Sequence, residues 1–273
     1  MTEFICHDRF LSDSMNAPPG VRRIILLKAK KWQPGEILDV QFMGGTAQQQ
    51  ANVQVAAREI EQYANISFRF SGSLKSIIRI SFVPQLGAWS MIGTDARGVP
   101  RHEATLNLGF EQPGVAIHEL GHALGCLHEH QSPFGEPIRW NEAEVIRDLS
   151  GPPNRWDIET IRRNVFEQYS RDQLNGSVLD PLSIWMYPIP ARWTTNGFST
   201  TPNPVLSLLD KQWLAKEYPG RVVEPPPVEP VNPCAGLLSC WQALSAVERG
   251  EILRQGNQLV DSVSKIGQLF LKG

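Results

Sequence analysis

His118-Glu119-Leu120-Gly121-His122-Ala123-Leu124-Gly125-Cys126-Leu127-His128 is the stretch that decides how this chain folds. On a helix, His118 and His122 are four residues apart and project from nearly the same side, about one turn apart. Glu119 lies about 60° around the helix from His122, close enough to reach a water on a bound metal without ligating it. Ala116, Ile117, Leu120, Ala123 and Leu124 form an apolar stripe on the opposite face, suited to packing beneath a sheet. His128 cannot reach the same metal from that helix, because six residues is not a repeat of its turn. The chain must stop and reverse, and Gly125 permits this because glycine tolerates the left-handed backbone that ends helices. Three imidazoles leave an open coordination position, as in catalytic rather than structural zinc sites. Zinc lowers the pKa of a water there to about 7, and Glu119 is placed to take its proton. The competing reading is a helix with surface histidines, but four of the six histidines in the chain fall between positions 118 and 130.

Upstream, β-branched and aromatic runs predict strands over residues 23–29, 37–42, 66–70 and 77–82, with shorter ones over 88–93 and 104–109. Residues 48–63 carry Val53, Val55, Ala56, Ile60 and Tyr63 at helical spacing. Strand–strand–helix–strand–strand order implies a mixed sheet with a helix across one face. Pro113 opens the metal-site helix. Downstream the pattern loosens, with a helical stretch near 158–169. Ser207-Leu208-Leu209-Asp210 has capping-box form and starts a helix that Pro219-Gly220 ends. Five prolines in residues 224–233 read as a stiff linker, and Leu244, Val247, Leu259, Val263, Ile266 and Phe270 follow a helical period beyond it. The domain plan is a polar tail (1–20), a catalytic domain (21–219), a linker (220–233) and a helical appendage (234–273).

A chain of 273 residues can bury a proper core, and its net charge of −2 offers no electrostatic case for nucleic acid as a partner. No apolar run approaches the ~20 residues that span a bilayer. The first 20 residues lack the apolar h-region of a secretory signal, so either export does not use that route or a leader is missing. Four cysteines (Cys6, Cys126, Cys234 and Cys240) are too few for a disulfide framework, and Cys234 and Cys240 read equally well as a small loop closure or as thiols. Cys6 could cap a zinc as an inhibitory thiolate, although a lone N-terminal cysteine is ordinarily nothing special. Cys126 reads as packing, His130 as facing solvent or a carboxylate just outside the metal's ligands rather than the metal itself, and His102 as a loop residue.

The residues from His118 to His128 resemble the metzincin signature, and Glu129 directly after the third histidine resembles the astacin-like branch. The resemblance covers about residues 30–219. Residues 88–93 resemble the family's edge strand and Ser183-Ile184-Trp185-Met186-Tyr187 its Met-turn. It implies an α+β, metzincin-like fold: a twisted mixed five-stranded sheet with two helices above the active-site cleft, and an irregular lower subdomain. It further implies one catalytic Zn2+ held by His118, His122 and His128, and an endopeptidase with Glu119 as general base and acid. Tyr187 would ligate the resting zinc and then stabilise the oxyanion. The implied partner is a peptide or protein substrate, lying antiparallel along the edge strand by β-augmentation. The family also favours an extracellular location.

Three departures stand out. Trp185 occupies the methionine's place in the Met-turn, unless a one-residue shift restores Met186. Ala88 and Phe110 replace a cysteine pair, and no aspartate switch is recognisable. Because of Trp185, the rival reading is a catalytically impaired zinc-binding protein that binds peptides on a metallopeptidase scaffold; a third is metal-dependent hydrolysis of a non-peptide substrate.

Overall fold

Alternation of apolar and polar residues builds the sheet. In a computed structural model, which describes residues 6–9, 30–73, 75–133, 136–168 and 179–221, Leu38, Val40, Ile78, Ile80 and Leu106 are all buried. Asp39 and Arg69 face the other side and pair through two hydrogen bonds of 2.6 and 2.8 Å. The strands are β1 (His7–Arg9), β2 (Ile37–Phe42), β3 (Ser67–Phe70), β4 (Ile78–Ser81), β5 (Ala88–Met91) and β6 (Leu106–Leu108). They lie in the order β1-β5-β6-β4-β2-β3. All neighbours are parallel except β5 and β6.

The five expected strands between residues 37 and 109 form, but the sheet has six. The sixth corrects the reading of residues 1–20 as a polar tail: His7–Arg9 pairs in register with Trp89–Met91. A bare edge strand exposes a row of backbone donors and acceptors, and another segment can complete it with no apolar signature of its own. The expected strand at 23–29, the linker beyond 221 and the C-terminal appendage lie outside the described residues. The chain divides into two units, Met1–Val223 and Glu224–Gly273. Among the described residues, no helix is long and apolar enough to cross a membrane.

Helix α1 (Ala47–Glu61) begins with a capping box: Gln49 N–H donates to the Thr46 hydroxyl, and Thr46 N–H to the Gln49 side chain. Val53, Ala56, Ala57 and Ile60 face the core, while Val55, expected on that face, is exposed. Helix α2 (Val115–Ala123) packs beside it and carries the metal motif. Pro113 stands before its N-cap, Gly114, rather than inside its first turn.

The last carbonyls of α2 would be orphaned in a buried helix end. The Trp32 indole N–H donates to Ala123 O at 2.7 Å, and the Tyr218 hydroxyl donates to Leu124 O. Gly125, at φ +95°, then reverses the chain. Its N–H donates to His122 O and that of Cys126 to Gly121 O, the paired bonds of a Schellman motif.

The lower half has its own core of Val145, Leu149, Ile161, Val165, Met186, Tyr187, Ile189 and Trp193. It contains α3 (Glu142–Ser150) and the short α4 (Ile158–Ile161), whose continuation to Phe166 widens into a π-turn. Helix α5 (Leu208–Glu217) closes the catalytic unit, with the Ser207–Asp210 capping box formed as expected.

Candidate metal centre

The Schellman reversal brings His128 back over the helix that carries His118 and His122. The three Nε2 atoms lie 2.9, 3.2 and 3.3 Å from one another. Four-coordinate zinc with Zn–N bonds of ~2.05 Å sets ligand nitrogens about 3.3 Å apart, so this triangle has the size of a tetrahedral face. His118 Nδ1 donates to Ile184 O at 2.8 Å and His122 Nδ1 to Cys126 O at 2.7 Å. A proton fixed on Nδ1 leaves the Nε2 lone pair facing inward. Bringing such lone pairs together is repulsive unless a cation lies among them, and imidazole suits zinc. Glu119 is buried on the same helix, and His122 and His128 are buried with it.

A fourth donor joins the histidines. One ligand atom each from Cys6, His118, His122 and His128 lie within 4.8 Å of one another, and Cys6 is buried. Treating a lone N-terminal cysteine as unremarkable therefore missed its position. The signal available was only the side-chain type, since nothing near Cys6 in the sequence announces β1.

Tyr187 lies against the same cluster. Its ring is 4.4 Å from that of His128, and its hydroxyl donates to the Cys6 carbonyl oxygen. His130 does not face solvent. It is buried, stacks on Tyr187 at 4.1 Å, and its Nε2 donates to Asn164 O at 2.9 Å. Cys126 packs in the main core, where burial pushes its thiol pKa well up. His102 is an exposed turn residue.

The floor of the site is the turn Ser183–Met186. Trp185, not Met186, lies in the core beneath α2, while Met186 belongs to the lower core, so there is no shift of register. Ile184 O accepts from the His118 ring, the Trp185 indole donates to His118 O at 3.1 Å, and Trp185 O accepts from Glu129 N–H at 3.0 Å. Asp210 anchors this turn from below. It accepts from the Ser183 hydroxyl at 2.7 Å and from the Ile184 and Ser207 amides at 2.9 Å each. Burial raises its pKa, against the opposing pull of those donors. Burial also pushes the Glu129 carboxyl up to about 7, although Asp180 N–H donates to it at 2.9 Å.

Helix, reversal and turn together build a three-histidine site of the size that a zinc metallopeptidase fold would need. Comparison with known proteins agrees. Residues 25–142 match the family model for the astacin peptidases. The chain is 38% identical to a solved structure of myroilysin, with a TM-score of 0.68, covering 71% of this chain and 98% of that one. Zinc metalloproteinase nas-23 of Caenorhabditis elegans is 27% identical over 135 residues, 49% of this chain and 24% of that protein. Tolloid-like protein 1 of Mus musculus is 26% identical over 139 residues, 50% of this chain and 13% of that protein. The chain thus spans about a quarter or less of the length of these curated relatives. It belongs to the astacin family of zinc metallopeptidases.

Proposed function

We propose that the protein is a zinc endopeptidase held latent by its own N-terminal segment. The observation that supports this reading is the convergence of three Nε2 atoms, two of them on rings whose Nδ1 donates to a main-chain carbonyl, with Cys6 beside them. His118, His122 and His128 would hold the zinc, with Cys6 completing four donors. Zinc supplies a Lewis acid there and lowers the pKa of water to about 7. Glu119 is the general base that takes the water's proton and returns it to the leaving amine. Tyr187 donates its phenolic hydrogen to the developing oxyanion. The edge of β5 holds an extended peptide through main-chain hydrogen bonds.

The segment at residues 6–9 obstructs three parts of this machinery: the metal position, the Tyr187 hydroxyl and the β5 edge. Cys6 would supply the fourth donor to the metal, its carbonyl oxygen accepts from the Tyr187 hydroxyl, and β1 covers the edge of β5. β1 runs parallel to β5, opposite in direction to the antiparallel substrate strand that the family resemblance implies.

The test compares casein cleavage by zinc-loaded full-length protein, Cys6→Ala and Cys6→Ala/Glu119→Gln. Cys6→Ala should cleave faster than wild type, chelator should abolish this, and the double variant should be inert. Full cleavage by the double variant would overturn the general-base assignment. A zinc-loaded Cys6→Ala protein that cleaves nothing would favour a peptide-binding protein on the same scaffold.

A further inference from the structure

We propose that Trp185 is a positioning residue for the zinc site, and that Gly121 is the gap in α2 that admits it. The Trp185 indole packs in the core beneath the motif helix and is almost fully buried. A Cβ at position 121 would come within 2.5 Å of its Cε2 and Nε1 atoms, closer than carbon atoms approach without one side moving. Glycine within a helix is unfavourable relative to alanine, so its presence in the last turn of this buried helix calls for a compensating contact. The indole supplies one. With no side chain at 121, the ring reaches the backbone, and its N–H donates to His118 O at 3.1 Å.

Trp185 then touches the metal site at two separate points. Its side chain holds the carbonyl of His118, and its own carbonyl holds the amide of Glu129, the residue after His128. The preceding residue, Ile184, accepts from the His118 ring. His118 is therefore held at both its ring and its main chain by adjacent residues of one turn, and that turn is pinned to Asp210. A purely space-filling floor would need only the bulk of the ring. The bond to His118 needs the indole N–H, so the two roles are separable by substitution.

This inference rests on the three histidines being the zinc ligands. The experiment measures zinc content and the rate of zinc release to excess chelator, alongside Tm, for the full chain and four variants. Trp185→Phe keeps an aromatic floor and removes the N–H. It should release zinc at least tenfold faster than wild type, the scale on which groups supporting metal ligands act. Gly121→Ala should accelerate release in the Trp185 background, but much less when combined with Trp185→Met, which vacates the space. Trp185→Met alone completes the cycle. Release within twofold of wild type for Trp185→Phe would overturn the positioning role. An equal effect of Gly121→Ala in both backgrounds would overturn the steric coupling. A wild-type chain that binds no zinc would overturn the ligand assignment beneath both. If Trp185→Met fails to fold, the Trp185→Phe result decides the positioning role by itself.

Discussion

Asp210→Ala and Asp210→Asn should separate sharply, because one carboxylate carries the floor of the metal site. Oδ2 accepts from both the Ile184 and Ser207 amides, and Oδ1 accepts from the Ser183 hydroxyl. Alanine removes both acceptor oxygens and strands three donors. At about 1–3 kcal/mol for each buried unsatisfied group, offset where water enters, the loss should be about 3–5 kcal/mol. Asparagine is close in shape. Its oxygen can keep both amides, and its NH2 can donate to the Ser183 oxygen once that hydroxyl turns away, so the loss should be about 1 kcal/mol. The two variants should also differ from wild type in pH dependence. Burial raises the Asp210 pKa, so the folded state holds the proton more tightly than the unfolded state. The stability this contributes is fully present below the unfolded pKa of ~3.9 and is lost as pH rises through the folded value. Asparagine should remove that fall. Urea unfolding from about pH 4 to 8, followed by tryptophan fluorescence, measures both effects. Equal destabilisation by Ala and Asn, or an unchanged pH slope in Asp210→Asn, would refute the reasoning.

Three further outcomes follow from the same geometry. Tyr187→Phe in the Cys6→Ala background should lower kcat about 10²–10³-fold with little change in KM, because the phenol acts on charge that develops only in the transition state; steady-state kinetics on a peptide checks this. Gly125→Ala should cost about 1–2 kcal/mol by denaturant unfolding, since a Cβ is strained at φ +95°, and zinc release should quicken because the reversal positions His128. In metal-free protein, Glu129→Gln should abolish a loss of stability of up to about 3 kcal/mol as pH rises from ~4.5 to 7. A folded pKa raised to about 7 makes the carboxyl favour folding only while both states are protonated. Denaturant midpoints across that range measure it.

Much of this centre is legible without coordinates, and the reason is local. The spacing of His118 and His122 is a helical repeat, Gly125 marks the reversal, and Ser207 with Asp210 announces a helix start. What escaped depends on contacts between distant residues. Asp210 reads as a cap, yet the same carboxylate reaches back 26 positions to Ile184. His130 looks like a polar loop residue because nothing nearby in sequence shows that Tyr187 will cover it. Trp185 reads as a disturbance until Gly121, far upstream in the chain, is seen to make room for it. Cys6 is furthest from legibility, since three residues of main-chain pairing place it and backbone hydrogen bonds leave almost no trace in side-chain type.

The pairing of His7–Arg9 with Trp89–Met91 has a consequence for how the proposed latency would be released. A blocking strand that belongs to the same polypeptide competes at an effective concentration set by its tether, of order mM for a short connection. Dilution does not lower that concentration, so the closed fraction is the same in a crowded compartment and in a dilute one. Cutting the backbone anywhere between Arg9 and Lys30 changes the order of the reaction. The strand becomes a separate molecule, its concentration falls to that of the protein, and at µM protein the ratio of closed to open sites falls about a thousandfold with no contact in the site altered.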